Sequence, residues 1–426
     1  MIVYLICYAA SWIFARFGLY YLSGAALFLA AGYLYVYDYR RSGNLIHLRG
    51  LFSCFWVGGQ GAACLKLSKL QTDWALQTWI CFFLALVGFW ITFEVLDRLM
   101  GGNERFTMNR YRQRSTVRPL FFCIAGLTVI SAAAFVTEAA VLGFIPVLVR
   151  GVPHAYSAFH MTGLHYVTVS CVLIPAMTVL YFEQGGSRSG RKNGLIVLCT
   201  LVSIAIPILC VSRFQLVFAV ILAVFTFCAS QKNVSPWLFV AAVVALIPCY
   251  VLLTVARSHD VTYLNGIFEM KNSRMPIFVS QPYIYIANNY ENFDCLVKAL
   301  PAHTWGIRML FPVWALTGLK FLYPYLVSFP IYVDKTELTT VTLIYDAYYD
   351  FGIIGVLVFA CILGAVCFFL VEKLREMKNP MGYLFYGQMA IYMMLSFFTT
   401  WFSNPTTWFY FLVTAVLTFY CSVSRR

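Results

Sequence analysis

Long apolar runs alternate with short polar connections along this chain, and the length of the runs sets what they can be. About twenty apolar residues, at ~1.5 Å each, cross a bilayer as a helix. On that rule the pattern predicts spans near 2–14, 18–38, 45–65, 74–96, 119–140, 160–182, 194–211, 214–230, 236–255, 351–371, 382–402 and 406–421. The opening run, MIVYLICYAASWIF, has no basic residue ahead of its apolar stretch and is expected to be a retained first span, not a secretory signal. The predicted fold is an all-α polytopic membrane protein with about 12 transmembrane helices. No repeat of one half in the other is visible.

The connections set an orientation. The stretch NERFTMNRYRQRSTVRP after the fourth span holds Arg105, Arg110, Arg112, Arg114 and Arg118, which the positive-inside rule places in the cytoplasm. Alternation then puts GGSRSGRKN, EKLREMK and the terminal SVSRR inside as well, with both termini cytoplasmic. Segment 305–327 is long enough to cross, yet Arg308, Pro312, Lys320 and Pro324 interrupt it. Crossing there would also move Lys373, Arg375, Lys378, Arg425 and Arg426 outside, so interfacial or re-entrant helices are expected. The chain thus divides into spans one to nine (1–255), a large outer loop (256–350) and C-terminal spans (351–426). A loop so long and so aromatic is expected to be functional.

Composition agrees with this picture. The chain is 61% hydrophobic and 11% charged, against about 25% charged in soluble domains. The net charge of +13 follows from basic connections, so no nucleic-acid partner is implied. Cysteines such as Cys81, Cys123, Cys171 and Cys199 lie inside apolar segments without zinc or disulfide spacing, and read as small hydrophobes.

Some ionisable residues are not explained by orientation. Arg213 sits in a tight outer turn, VSRFQ; Arg257, Arg274 and Arg308 lie in the outer loop. Guanidinium groups make bidentate bonds to phosphate oxygens, so these four suit an anionic ligand. The plainer alternatives are solvation or pairing with Asp260, Glu269 or Glu291. On a continuous helix from Pro119, Glu138 lies ~28 Å along, at the outer interface, where it is a candidate base or a partner of Arg150. His165 is a second candidate base or a satisfied core histidine. In TLIYDAYYDFGIIG (342–355), Asp346 and Asp350 share a helix face. Its DFG lacks every other kinase signature, and two acids without further oxygen donors do not make a metal site. Asp350 also fits as an early-turn acid favoured by the helix dipole.

At these patches the chain resembles the Wzy-type oligosaccharide repeat-unit polymerases, which build O-antigen and capsular polysaccharide. The resemblance rests on TEAAVLGFIPVL (137–148) with FHMTGLHYV (159–167), on SRFQLV (212–217), on the Tyr- and Asn-rich outer loop and on TLIYDAYYDFGIIG. Residues before 116 match only in hydropathy. The family resemblance implies a C-type glycosyltransferase fold in the bacterial cytoplasmic (inner) membrane, with an outward-facing site and neither cofactor nor metal. It implies transfer of a glycan from polyprenyl pyrophosphate onto a lipid-linked repeat unit, with membrane lipid and a chain-length regulator protein as further partners. On that reading Glu138, then His165, then Asp350 is the base. Arg213, Arg257, Arg274 and Arg308 receive the pyrophosphate. Tyr283, Tyr285, Asn289, Tyr290, Asn292, Asp346 and Tyr349 face the sugars. A ligase using the same donor with another acceptor, or a lipid-linked oligosaccharide flippase, are the competing readings. Flippases and other transporters usually show paired repeats and midplane charges, whereas the ionisable residues here gather at outer ends.

Overall fold

The computed structural model of the chain describes residues 1–100, 116–149, 155–231, 234–235, 237, 241, 244, 261–375 and 377–423. Arg105, Arg110, Arg112, Arg114, Arg150, Arg257, Asp260, Arg425 and Arg426 lie outside the described residues, as does most of the predicted span 236–255.

Helices follow in the order α1 (Ile2–Arg16), α2 (Tyr20–Ser42), α3 (Leu48–Cys64), α4 (Leu76–Met100), α5 (Val117–Leu142), α6 (Ala155–Ala158), α7 (Leu164–Val169), α8 (Ile174–Glu183), α9 (Gly190–Leu209) and α10 (Arg213–Ser230). After 260 come α11 (Val261–Phe268), α12 (Ile277–Ala299), α13 (Phe311–Leu316), α14 (Leu319–Leu322), α15 (Tyr345–Arg375), α16 (Met381–Met394) and α17 (Pro405–Val423). Among the described residues the only extended pairing is an antiparallel bridge, Ser68 with Met270. Each predicted span outside 236–255 is occupied by a helix.

Seven of these helical stretches are long and apolar enough to cross a membrane: α4, α5, the continuous rod Leu164–Glu183, α9, α10, α15 and α17. The chain is therefore a multi-pass α-helical membrane protein. Helix α1 is apolar but has only 15 residues, and α3 and α16 have 17 and 14. Helices α2 and α12 have 23 residues each but are diluted by tyrosines in one case and by Asn, Asp and Glu in the other. Segment 305–327 breaks into α13, α14 and a 3-10 turn, Pro324–Leu326, so no single helix there reaches crossing length. Pro312, the left-handed Gly318 (φ 78) and Pro324 are the breaks.

The chain forms two compact units. The first comprises Met1–Phe106, Asp260–Glu372 and Tyr392–Thr407. Its core is aromatic: Phe82 lies 5.1 Å from both Trp74 and Phe293 and 5.2 Å from Tyr290. Helix α15 crosses α4 at glycines, for a Cβ on Gly364 would stand 2.5 Å from the Phe89 carbonyl oxygen. Small residues allow such close helix approach in lipid, where packing replaces the hydrophobic effect as the driving force. Helix α12 packs on α3 and α4, and its acids serve their ends. Asp294 accepts from Ala75 N (2.9 Å) and Thr78 Oγ1 (2.6 Å) at the start of α4, satisfying donors a helix N-terminus leaves open. The second unit comprises Thr107–His259, Lys373–Ile391 and Trp408–Arg426. Within it α5 packs against α7, α8 and α9, and α10 against α8 and α9.

Candidate functional site

The second unit holds a carboxylate–imidazole pair. Glu138 lies in the last turn of α5, which Gly143 ends in the left-handed conformation (φ 76) with its N–H on Ala139 O at 3.0 Å. The C-terminus of a helix is the negative end of its dipole and gives a carboxylate no support. Glu138 is nevertheless fully buried, so donors from elsewhere must meet it. They come from the next segment. Met161 N donates to Oε1 at 3.1 Å, and His165 Nδ1 lies 3.2 Å from both oxygens. Gly163 makes this possible: its φ of 86 is a conformation other side chains resist, and it turns the chain from Met161 into α7 so that both donors reach one carboxylate.

The pairing sets the roles of the ring nitrogens. A neutral His165 that gives its Nδ1 proton to Glu138 leaves Nε2 as an acceptor. The side chain is 20% exposed, so the ring is held yet reachable. His160 packs edge-on against it at 4.9 Å, and the neighbouring Tyr166 stacks on Phe409 at 5.8 Å. A ring held in this way can act as an oriented general base.

Arg213 opens α10 at the same end of this unit. Val147, just past α5, packs with Ile204 on Val211 and Leu216, which flank the Arg213 turn. Cys210 reports the same proximity: burial pushes its thiol up to about 12, and the Glu138 carboxylate adds to the shift. Val211 itself has φ 55, an outlier for a β-branched residue. Strain of this kind costs on the order of 1–3 kcal/mol and collects at functional turns.

In the first unit the acids of TLIYDAYYDFGIIG have structural partners. Asp350 is fully buried and accepts from Met309 N (2.7 Å), Arg308 N (3.3 Å) and Thr304 Oγ1. Its oxygens organise the 304–309 turn, which argues against a role as base. Asp346 takes the Arg308 Nε hydrogen bond, and the guanidinium stacks on Tyr349 and Tyr345 at 4.5 and 5.3 Å. Burial works against this cation, but Asp346 and the two tyrosines outweigh it and hold Arg308 above its ordinary pKa. Its charge is matched inside the fold, so Arg308 is not an open pyrophosphate ligand. Arg274 is exposed on the turn before α12.

The predicted sugar-facing residues of α12 are likewise occupied. Tyr290 donates to Trp56 O (2.8 Å) and Tyr283 to Gln71 Oε1 (2.6 Å). Asn289 Nδ2 reaches Tyr285 O (2.6 Å) and Phe397 O (2.7 Å), and Asn292 Nδ2 reaches Leu338 O and Thr340 O, both at 2.7 Å. These four bind the protein to itself, whereas Tyr285 is exposed. Sequence reasoning also missed Lys66, whose ammonium is buried against Glu291 Oε1 at 2.8 Å and lies 4.9 Å from the Trp74 ring. Lys66 and Glu291 lie 225 residues apart in sequence, and no local pattern joins them. No protein-family model, curated protein or solved structure matches this chain.

Proposed function

We propose that the chain is a polysaccharide polymerase. It transfers a glycan from polyprenyl pyrophosphate onto a sugar hydroxyl of a lipid-linked oligosaccharide repeat unit, at the outer face of the bacterial cytoplasmic membrane. In this reading the architecture is C-type and both termini are cytoplasmic. The observation that supports it best is the Glu138–His165 pair, with its carboxylate buried and its imidazole partly exposed, near the turn that bears Arg213.

The chemistry follows from the groups. The acceptor oxygen attacks the donor's anomeric carbon as the bond from that carbon to the pyrophosphate oxygen breaks. The hydroxyl proton passes to His165 Nε2, and Glu138 balances the resulting imidazolium. A pyrophosphate leaves as a stable anion, so it needs a cation more than a proton, and Arg213 supplies one. A general base of this kind contributes about 10²–10⁴-fold.

The test is a reconstituted reaction. Purified protein given only its lipid-linked repeat unit should build a ladder of longer glycans without nucleotide sugar, and EDTA should leave the ladder intact. His165→Ala should slow it by about 10²-fold or more, and Arg213→Ala should collapse it while membrane insertion persists. Single transfer to a different acceptor would assign a ligase instead. Movement of intact substrate between leaflets without a new glycosidic bond would assign a flippase.

A further inference from the structure

The charged ends of α2 and α4 take no part in that chemistry. In the first unit, α4 begins at the outer segment, where Gln77 Nε2 donates to Tyr348 Oη at 2.7 Å; its other end lies ~37 Å away. There a cavity of about 810 Å³ opens between Tyr33, Val36 and Tyr37 of α2 and a group of charged side chains, Arg40, Arg41, Glu94 and Arg98. Beside it lies an ion network. Buried Arg49 bonds Asp38 through Nε (2.9 Å) and Glu94 through Nη1 (2.8 Å), with its guanidinium 4.4 Å from the Trp90 ring. Glu94 also takes Arg41 at 3.3 Å and Arg98 at 3.2 Å, and Arg41 reaches Asp97 at 2.6 Å. The arginines 40, 41, 49 and 98 thus outnumber Asp38, Glu94 and Asp97 by one positive charge. The Arg40 side chain has no hydrogen bond or ion pair among the described residues.

We infer that this cavity binds the phosphate-bearing head group of an anionic phospholipid. The carboxylates are already committed to arginines, which fixes the guanidinium groups in place and leaves donors for one phosphodiester. The α2 lining of the cavity, Tyr33, Val36 and Tyr37, is exposed and apolar, and Leu29, one turn before Tyr33 on the same helix, is 71% exposed, so an acyl chain can lie along this face. A soluble phosphate compound would make no use of that face. Beyond α4 the sequence runs into the five arginines of 105–118, which the positive-inside rule places at the cytoplasmic leaflet. That leaflet carries the negative surface potential.

The test is lipid retention by the whole protein in neutral detergent, followed by native mass spectrometry with phosphatidylglycerol and phosphatidylcholine in competition. Wild-type protein should prefer phosphatidylglycerol. The double variant Arg40→Gln/Arg98→Gln should lose about thirtyfold in apparent affinity, the sum of two surface cations. Both side chains are exposed; Arg98 gives up only a surface bond to Glu94, which keeps its bonds to Arg49 and Arg41, so the fold is spared. Val36→Trp, which puts a bulky ring into the cavity between the arginines without removing charge, should also weaken retention. Equal retention by wild type and these variants would overturn the site. Thermal stabilisation by inorganic phosphate or glycerophosphoglycerol as large as that by phosphatidylglycerol would overturn the lipid assignment.

Discussion

A carboxylate at the negative end of a helix, shut away from water, survives only through its partners, and Glu138 has two: Met161 N and His165 Nδ1. Glu138→Gln keeps an acceptor for Met161 but removes the charge that balances an imidazolium. We expect turnover to fall by about 10²-fold or more with the melting temperature nearly unchanged. Glu138→Ala strands both donors and should also destabilise by about 1–3 kcal/mol for each buried group left unmet. Unchanged turnover in the Gln variant would remove His165 from the role of oriented base. Glu291 is the contrasting case, a buried acid that serves structure. Burial raises its pKa above the ordinary 4.5, more than Lys66, Trp74 and Thr72 N lower it. The folded chain therefore holds this proton more tightly than the unfolded chain. Its contribution to stability is full below pH 4.5 and is lost as pH rises through the folded value. Denaturation across that window should show stability falling with pH, and Glu291→Gln should flatten the slope. Lys66→Met should cost about 3–5 kcal/mol by stranding the carboxylate, with much of the loss recovered in the double variant. Additive losses in that cycle would mean the two side chains are uncoupled. Glu138 and His165 were legible in the sequence because an ionisable group beside apolar spans stands out. Lys66 and Glu291 were not, because their meeting is a tertiary event.

At the scale of elements, the start of α15 shows how far a sequence pattern reaches. The pattern gave a helix beginning near the two aspartates, and the helix is there. It did not show that the helix is interrupted at Gly352 (φ 63, ψ −147), nor that Asp350 faces back to bind the 304–309 turn. His303 packs so closely that a Cβ on Gly352 would stand 3.0 Å from its Nε2. Gly352→Ala should then cost about 1–3 kcal/mol of stability, from the left-handed φ and the contact together, read as a lowered melting temperature in detergent. Asp350→Ala should destabilise further and expose the 304–309 amides to hydrogen exchange. Fast exchange there already in the wild type would show that Asp350 does not hold the turn. Helix α12 taught a related lesson. Tyr and Asn at 283–292 suggested a surface for sugars, yet buried positions run almost unbroken from Tyr283 to Asp294. A helix buried on nearly every side has no free face. Which amides point inward depends on Phe397, Leu338 and Thr340, which no reading of 283–294 alone supplies.

Over the whole molecule, hydropathy was the most legible signal, because a bilayer imposes length and apolarity on each span independently of its neighbours. That is why α4, α5, α9, α10 and α17 fall within a few residues of their predicted bounds. The candidate site was legible only in part: the Glu138–His165 pair arises from adjacent segments, while the expected arginine cluster needed contacts across the chain. Orientation follows from charge, and it can be tested inside the second unit alone. Ala158 lies just before the rod Leu164–Glu183 and Ser189 just after it, so ~30 Å of helix separates them. Both positions are exposed. Cysteines placed there should react with a membrane-impermeant maleimide in opposite compartments: Ala158→Cys in intact cells, Ser189→Cys only after permeabilisation. Cys210 and Cys295 give little background. Burial raises Cys210, at the same end as Ala158, to about 12 and Cys295 to about 11, leaving almost no reactive thiolate at neutral pH. Labelling of Ser189→Cys in intact cells, with Ala158→Cys protected, would turn Glu138, His165 and Arg213 toward the cytoplasm. A polymerase working at the outer leaflet would then be untenable for this chain.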